Sequence, residues 1–69
     1  MGESVYKVIE LIGTSDVSWE KAAESAIERA SKSLKDLRIA EVTSQDVKIE
    51  DGKITAFRTK LAISFKFLD

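Results

Sequence analysis

The chain has 69 residues, a formal net charge of −1, and neither cysteine nor histidine. Without these two residue types it has no disulfides, no thiolate or imidazole metal site, and no Ser-His-Asp or Cys-His catalysis. The balanced charge argues against nucleic acid as a partner. The sequence lacks both the apolar core of a signal peptide and a run of about 20 apolar residues that would span a membrane. We therefore expect a single domain over residues 1–69 in a cytoplasmic protein that is not an enzyme.

The first two predicted elements are a strand and a helix. Residues 5–13 are rich in β-branched and aromatic side chains, which favours a strand, and the Gly-Thr-Ser-Asp segment at 13–16 is expected to end it. Ser18 is a good N-cap for a helix that runs from Trp19 to about Leu37. The apolar residues of this helix recur at spacings of three and four: Trp19, Ala22, Ala23, Ala26, Ile27, Ala30, Leu34 and Leu37.

A β-hairpin is predicted for the rest of the chain. Residues 38–50 and 53–69 alternate between apolar and polar, and Asp51-Gly52 between them suits a two-residue type I′ turn. The resulting register places these pairs on one face: Ile49–Ile54, Val47–Ala56, Gln45–Arg58, Glu41–Ala62 and Ile39–Ser64. It places these on the other: Ala40–Ile63, Val42–Leu61, Ser44–Thr59 and Asp46–Phe57.

The predicted fold is α+β, with the order β-α-β-β and a three-stranded antiparallel sheet curled around one helix. Because the strands are longer than the helix, one face of the sheet is left largely uncovered. The apolar residues of that face predict an interaction surface and a homo-oligomer: Ile39, Val47, Ile49, Ile54, Ala56 and Ala62. The alternative is a curled monomer with an exposed apolar back.

The sequence resembles the dodecin family over nearly its whole length. The resemblance is carried by Val5-Tyr6-Lys7-Val8-Ile9-Glu10, Ile12-Gly13-Thr14-Ser15, Ser18-Trp19-Glu20, Ala22-Ala23, Ala40-Glu41-Val42, Gln45, Gly52 and Phe65. It implies a β-α-β-β subunit in a hollow dodecamer of tetrahedral symmetry. Typical dodecins bind flavins (riboflavin or FMN) at subunit contacts and serve as storage or buffering proteins, not as enzymes.

Two positions differ from the flavin-binding pattern of that family. Its ring-stacking tryptophan corresponds to Ile39, and its ring-binding glutamine to Arg58. Isoleucine cannot stack on a flavin, and a guanidinium has no hydrogen-bond acceptor. A flavin pocket would therefore be a modified one, with Ile39, Gln45 and Arg58 as its candidate residues.

The sequence is more similar to the calcium dodecins, which also lack the stacking tryptophan. They share Ser-Val-Tyr-Lys-Val-Ile, Ser-Trp-Glu, Gln45-Asp46, Gly52-Lys53-Ile54-Thr55 and Ser64-Phe65-Lys66. This resemblance implies a metal-binding dodecamer, and calcium requires six to eight oxygens, which symmetric copies can supply together. Asp46 and Glu41 are the candidate metal ligands, with Gln45 as a further oxygen donor. The alternatives are that Asp46 pairs with a lysine and that Glu41 forms a salt bridge between subunits.

The expected function is therefore binding and sequestration of a small ligand or an ion, with calcium favoured. One alternative is a flavin store with a modified pocket. Another is a structural shell without a specific ligand.

Overall fold

The computed structural model describes residues 2–67, and they form three strands and one helix. The elements in chain order are β1 (Tyr6–Ser15), α1 (Trp19–Ser31), β2 (Leu37–Glu50) and β3 (Lys53–Lys66). The strands pair antiparallel in the order β1-β3-β2, which confirms the α+β class and the β-α-β-β arrangement. Leu68 and Asp69, the end of the predicted third strand, lie outside the described residues. Within residues 2–67 no helix is long and apolar enough to cross a membrane.

The β2–β3 hairpin turns where the sequence predicts. Asp51 and Gly52 have φ of 52° and 75°, the positive values that a type I′ turn requires at both central positions. Glu50 consequently faces Lys53, and Ile49 faces Ile54. The turn prediction is confirmed.

The predicted register is correct next to the turn and again from Ile39 to Val42, and it is wrong between these segments; a further shift between Leu37 and Ile39 pairs Leu37 with Phe65. The pairing shifts by one residue between Lys48 and Ile49 and shifts back between Val42 and Ser44, so that β3 and β2 each carry one extra residue, Thr55 and Thr43. Such bulges leave one residue without a direct partner. The pairs between the bulges are Lys48–Ala56, Val47–Phe57, Asp46–Arg58, Gln45–Thr59 and Ser44–Lys60.

Helix α1 ends six residues earlier than predicted. Ser18 caps its start, because its hydroxyl accepts a hydrogen bond from the backbone N–H of Lys21 at 3.0 Å. After Ser31 the chain turns, and Asp36 has the positive φ of 61°. Leu37 fits the helical spacing, yet it is the first residue of β2. The helical spacing of apolar residues thus extends to Leu37, although the helix itself ends at Ser31.

The helix packs through a stripe of alanines. Ala22, Ala26 and Ala30 are buried, and Leu61 and Ile63 of β3 lie beneath the helix, each only 1% exposed. Small side chains allow the helix backbone to approach the sheet closely.

Gly13 makes the closest approach of sheet and helix possible. A Cβ built at this residue would overlap the carbonyl oxygen of Ala22. β1 was predicted to end at Gly13, but it continues through Thr14 to Ser15, paired throughout with β3, and so ends two residues later, within the predicted breaking segment 13–16. The glycine is required for contact with the helix, not for a turn.

The chain is elongated for its size. It measures 54 × 20 × 14 Å, with a radius of gyration of 14.3 Å, whereas a compact chain of this length has about 11 Å. Its accessible surface is 5393 Å², against about 4300 Å² for a compact monomer of this mass. The chain therefore exposes more surface than a compact monomer of its mass would.

The hairpin arm, residues 48–56, accounts for much of this elongation. β1 ends opposite Phe57, so the arm is a two-stranded ribbon beyond the reach of β1. Ile49 and Ile54 face each other on it and are 63% and 57% exposed. A two-stranded ribbon is at best marginally stable in water by itself, and within residues 2–67 neither β1 nor α1 extends alongside the arm.

Candidate functional site

The sheet face turned away from α1, called the outer face here, carries the candidate site. Thr59, Leu61 and Ile63 are buried on the helix side, so by strand alternation the even-numbered residues between them point the other way. Paired residues form four rows across this face: Val8–Ser64–Ile39, Glu10–Ala62–Glu41, Ile12–Lys60–Ser44 and Thr14–Arg58–Asp46.

The bulge at Thr43 decides which β2 residues belong to the outer face. Glu41 and Asp46 are five positions apart, an odd number, so a regular strand would point them to opposite faces. The extra residue reverses the alternation and brings both carboxylates to the outer face. It also places Gln45 opposite the buried Thr59, on the helix side. Gln45 is thus on the other face from Ile39 and Arg58, the two remaining flavin candidates.

Asp46 and Arg58 form the closest charged contact of the outer face. The Arg58 Nε donates to Asp46 Oδ1 at 2.7 Å and Nη2 donates to Oδ2 at 2.9 Å. This two-point hydrogen bond lowers the pKa of Asp46 below its usual value and raises that of Arg58. About half of each side chain is exposed. The carboxylate therefore has a cationic partner within its own chain, an arginine in place of the predicted lysine.

A depression of about 240 Å³ adjoins this pair. Its lining residues are Ile12, Ser44, Asp46, Arg58 and Lys60. The Lys60 ammonium is directed to Glu10, with 4.0 Å between Nζ and Oε1. Both signs of charge thus border the depression, and an ion or polar group is a better match for it than an apolar ligand.

Ser44 and Lys60 were missed by the sequence analysis. The predicted register placed Ser44 opposite Thr59, whereas it faces Lys60. The alternation of β3 contained a usable signal, because Lys60 follows Arg58 by two residues and so shares its face.

Below Asp46, on the helix side, Trp19 anchors the start of α1 to the sheet. Its indole Nε1 donates to the backbone carbonyl of Asp46 at 3.1 Å, and its own carbonyl accepts from the Thr59 hydroxyl at 2.9 Å. The indole also meets the Phe57 ring edge-on, with 5.1 Å between the centroids. Asp46 is therefore held through its backbone on one face and through its carboxylate on the other.

The carboxylates of the outer face match the chemistry that calcium prefers, but the residues that carry them are spread along the sheet of a single chain. Glu41 and Asp46 lie beside Ala62 and Arg58, four residues apart on β3 or about 13 Å. Calcium binds its oxygens at about 2.3–2.6 Å, so one ion would contact both only if both side chains extended towards it, whereas the Asp46 carboxylate is held by Arg58. Within residues 2–67 no three acidic side chains cluster closely enough to hold a metal. A calcium site using either residue needs oxygens from another copy or from water.

Comparison with known proteins gives consistent results. The family model described as Dodecin matches residues 5–67. The calcium dodecin of Mycobacterium tuberculosis is 55% identical over 64 residues, which cover 91% of this chain and 89% of that protein. Among solved structures, the dodecin from Streptomyces coelicolor superimposes with a TM-score of 0.93 at 33% identity, covering 100% and 99% of the two chains.

The solved calcium dodecin of M. tuberculosis, described as calcium-chelating with a novel calcium-binding site, superimposes with a TM-score of 0.84 at 48% identity. The similarity covers 94% of this chain and 93% of that one. Sequence and fold therefore agree over almost the entire length, and the chain belongs to the dodecin family.

Proposed function

We propose that this protein assembles into a hollow homododecamer that binds and sequesters calcium without catalysing a reaction. The observation that carries the proposal is the 55% identity to a calcium dodecin over 91% of the chain. The outer face adds physical support, since it presents the carboxylates of Glu10, Glu41 and Asp46, and carboxylates are preferred calcium ligands.

The shape of the subunit supports assembly. An accessible surface of 5393 Å² and a hairpin arm whose Ile49 and Ile54 are exposed are the properties of a subunit that buries surface against its neighbours. Size-exclusion chromatography with light scattering tests this directly. Twelve copies of the 7.7 kDa chain correspond to about 92 kDa, and a particle of the monomer's mass would contradict the proposal.

Glu41 and Asp46 are the proposed calcium ligands, each acting with oxygens from neighbouring copies. Glu41 takes part in no ion pair among residues 2–67, so its carboxylate is available to a cation. The Asp46 carboxylate can bind calcium only if Arg58 turns away from it or if its oxygens accept the ion in addition to the Arg58 hydrogen bonds. The two residues define separate positions on the sheet, which substitution can distinguish.

Calorimetric titration of calcium into chelator-treated protein tests both function and ligands. We expect heat of binding for the unmodified protein and a more than tenfold loss of affinity in Glu41→Gln, Asp46→Asn or both. Glu28→Gln is the matched control, because Glu28 is an exposed glutamate on α1 outside the outer face. Absence of heat with the unmodified protein would refute calcium binding. Unchanged affinity in both variants would refute only the ligand assignment.

A further inference from the structure

We propose that the free edge of β1 and the adjoining side of α1 bind an extended acidic peptide, which adds to the sheet as a further strand. The backbone of the peptide pairs with Ile12 and Thr14, and its carboxylate pairs with Arg29. The inference goes beyond the proposed function, because the partner is a polypeptide and calcium takes no part in its binding.

The first argument is the unpaired backbone of β1, which lies at the edge of the sheet. Within residues 2–67 this strand pairs with β3 alone. The Phe67 N–H donates to the Val5 carbonyl at 2.8 Å, and in an antiparallel ladder every second residue makes such bonds. Because the β1–β3 register is constant, odd-numbered residues of β1 bond to β3. The even-numbered residues, Ile12 and Thr14 among them, direct their N–H and C=O groups to the free edge.

The end of β1 near the turn lacks the features that commonly prevent strand addition. Proteins protect sheet edges with charged side chains, proline or bulges. Residues 11–15 contain neither a charged residue nor proline, and their pairing with β3 is regular. Ile12 is also 52% exposed, and an apolar side chain opposite it on an added strand would contact it. This part of the edge can therefore accept another strand.

A groove of about 220 Å³ lies between this edge and the helix. β1 lines it with residues 11–14, and α1 lines it with Ser25, Ala26 and Arg29. Ser25 and Arg29 are four residues apart and therefore share one side of the helix. Addition of an extended peptide to a sheet edge is a recurring mode of recognition, in which the backbone gives affinity and side-chain pockets give specificity. The groove is placed to be such a pocket for a side chain on the helix side of the added strand.

The charge of the groove indicates which side chain this is. Among the described residues that line it, only Arg29 is charged. Arg29 takes part in no ion pair within residues 2–67. A guanidinium has five N–H donors and can bind both oxygens of a carboxylate, and the Ser25 hydroxyl is a further donor. The groove therefore favours an acidic side chain.

A second copy of this chain matches the groove less well. Its free sheet edges, within the described residues, belong to β1 and β2. If either edge joined β1 with both helices on one side of the sheet, Arg29 would meet only helix-side residues of that strand. The acidic residues of the two strands all lie on the outer face: Glu10, Glu41, Asp46 and Glu50. Charge complementarity therefore favours a different polypeptide.

Fluorescence anisotropy of labelled peptides added to the assembled protein tests the proposal. The probe is Thr-Val-Glu-Val-Thr with an amidated C-terminus, whose valines would lie opposite Ile12 and Thr14 while its glutamate points to the helix side. Two matched peptides separate the contributions. In one, glutamine replaces the glutamate. In the other, proline replaces both valines, which keeps the carboxylate but removes the N–H groups that pair with β1.

We expect the glutamate peptide to bind about fivefold more tightly than the glutamine peptide, the upper range for an exposed ion pair. The proline peptide should bind roughly tenfold more weakly, because two hydrogen bonds are lost. In Arg29→Gln the glutamate and glutamine peptides should bind equally. Lys32→Gln is the matched control and should leave both affinities unchanged, because Lys32 is an exposed cation at the end of the same helix and does not line the groove.

A substitution in β1 tests the backbone contact from the protein's side. Thr14→Pro removes an N–H that points to the free edge and leaves the bonds to β3 intact, which is the position where strands tolerate proline. It should weaken binding of the glutamate peptide roughly tenfold, whereas Thr14→Val should keep the affinity. Light scattering verifies that each variant assembles like the unmodified protein. If Thr14→Pro does not, the proline peptide tests the same contact on the unmodified protein.

Three results would overturn the proposal. Absence of binding up to about 1 mM peptide, the weak end of measurable affinities, would mean that the edge of β1 is closed in the assembled protein. Equal binding of the proline peptide would mean that the groove takes an anion only and that no strand is added. Equal binding of the glutamine peptide, or an unchanged affinity in Arg29→Gln, would mean that Arg29 does not recognise the carboxylate.

Discussion

Gly13→Ala should be among the most destabilising single-methyl changes in this chain. The added Cβ would overlap the carbonyl oxygen of Ala22 and would lie 2.9 Å from its carbonyl carbon and 3.1 Å from the Ala26 Cβ. The obstructing atoms belong mainly to the helix backbone, which cannot rotate away as a side chain can. The helix must therefore move off the sheet, which loosens its packing over Leu61 and Ile63.

The expected cost follows from the known penalty for overpacking. Extra methyl groups in a packed interior typically cost about 1–3 kcal/mol, and a backbone obstacle places Gly13→Ala at the upper end, about 3 kcal/mol. Urea unfolding followed by circular dichroism measures this loss. All variants are compared at one protomer concentration, because the stability of an oligomer depends on concentration.

The matched control is Gly2→Ala, since a Cβ at Gly2 meets no atom within 4 Å. Its free energy of unfolding should stay within about 0.5 kcal/mol of the unmodified protein. If Gly13→Ala is equally neutral, the helix and β1 are not in the close contact described here, and the explanation of the alanine stripe is wrong.

Three further predictions concern the site and its support. The pKa of Asp46 is lowered in the folded protein, so the ionised carboxylate contributes fully to stability above the unfolded pKa, and this contribution is lost as the pH falls below about 4. The Asp46→Asn variant should therefore lose less free energy of unfolding than the unmodified protein between pH 5 and pH 2. Parallel curves of free energy against pH for the two proteins would contradict this. Trp19→Phe keeps an aromatic ring but removes the hydrogen bond to the Asp46 carbonyl, and should lower the free energy of unfolding by about 0.5–1.5 kcal/mol, whereas no loss would show that the bond is unimportant. Added riboflavin should keep its fluorescence, because Ile39 offers no ring to stack on the flavin and Arg58 already donates to Asp46; strong quenching would favour the flavin alternative.

The local signals in the sequence were sufficient for the order of elements and for the turn. Asp51 and Gly52 specify their turn because few residues tolerate positive φ at both central positions. Ser18 likewise specifies the helix start through a hydrogen bond made three residues away. Features determined by neighbouring residues were predictable from the sequence.

The features that were missed depend on residues far apart in the chain. Leu37 has helical spacing, but its position is decided by pairing with Phe65 of β3. Gly13 was interpreted as the first residue of a strand-breaking segment, 13–16, because the approach of Ala22 cannot be inferred from the local sequence. The bulges at Thr43 and Thr55 change the pairing register of β2 and β3. The residues next to these threonines contain no pattern that predicts a bulge.

The two predicted metal ligands show the same limit. Glu41 and Asp46 were assigned to opposite faces by a regular register, and the bulge at Thr43 places both on the outer face. The bulge at Thr43 also divides the apolar residues that were predicted to share one face of the sheet. Ile39, Ala56 and Ala62 lie on the outer face, whereas Val47 is paired with Phe57 on the helix side.

The bulge at Thr43 implies that chain length, as well as residue type, determines the chemistry of the outer face. Deleting Thr43 would place Ser44 directly after Val42, so regular alternation alone would keep Ser44 opposite Lys60 and Asp46 opposite Arg58 on the outer face. Keeping Thr43 without the bulge would instead pair Gln45 with Arg58 and turn Asp46 to the helix side. One residue of strand length at this point therefore decides whether Asp46 or Gln45 faces outward, without substitution of either residue.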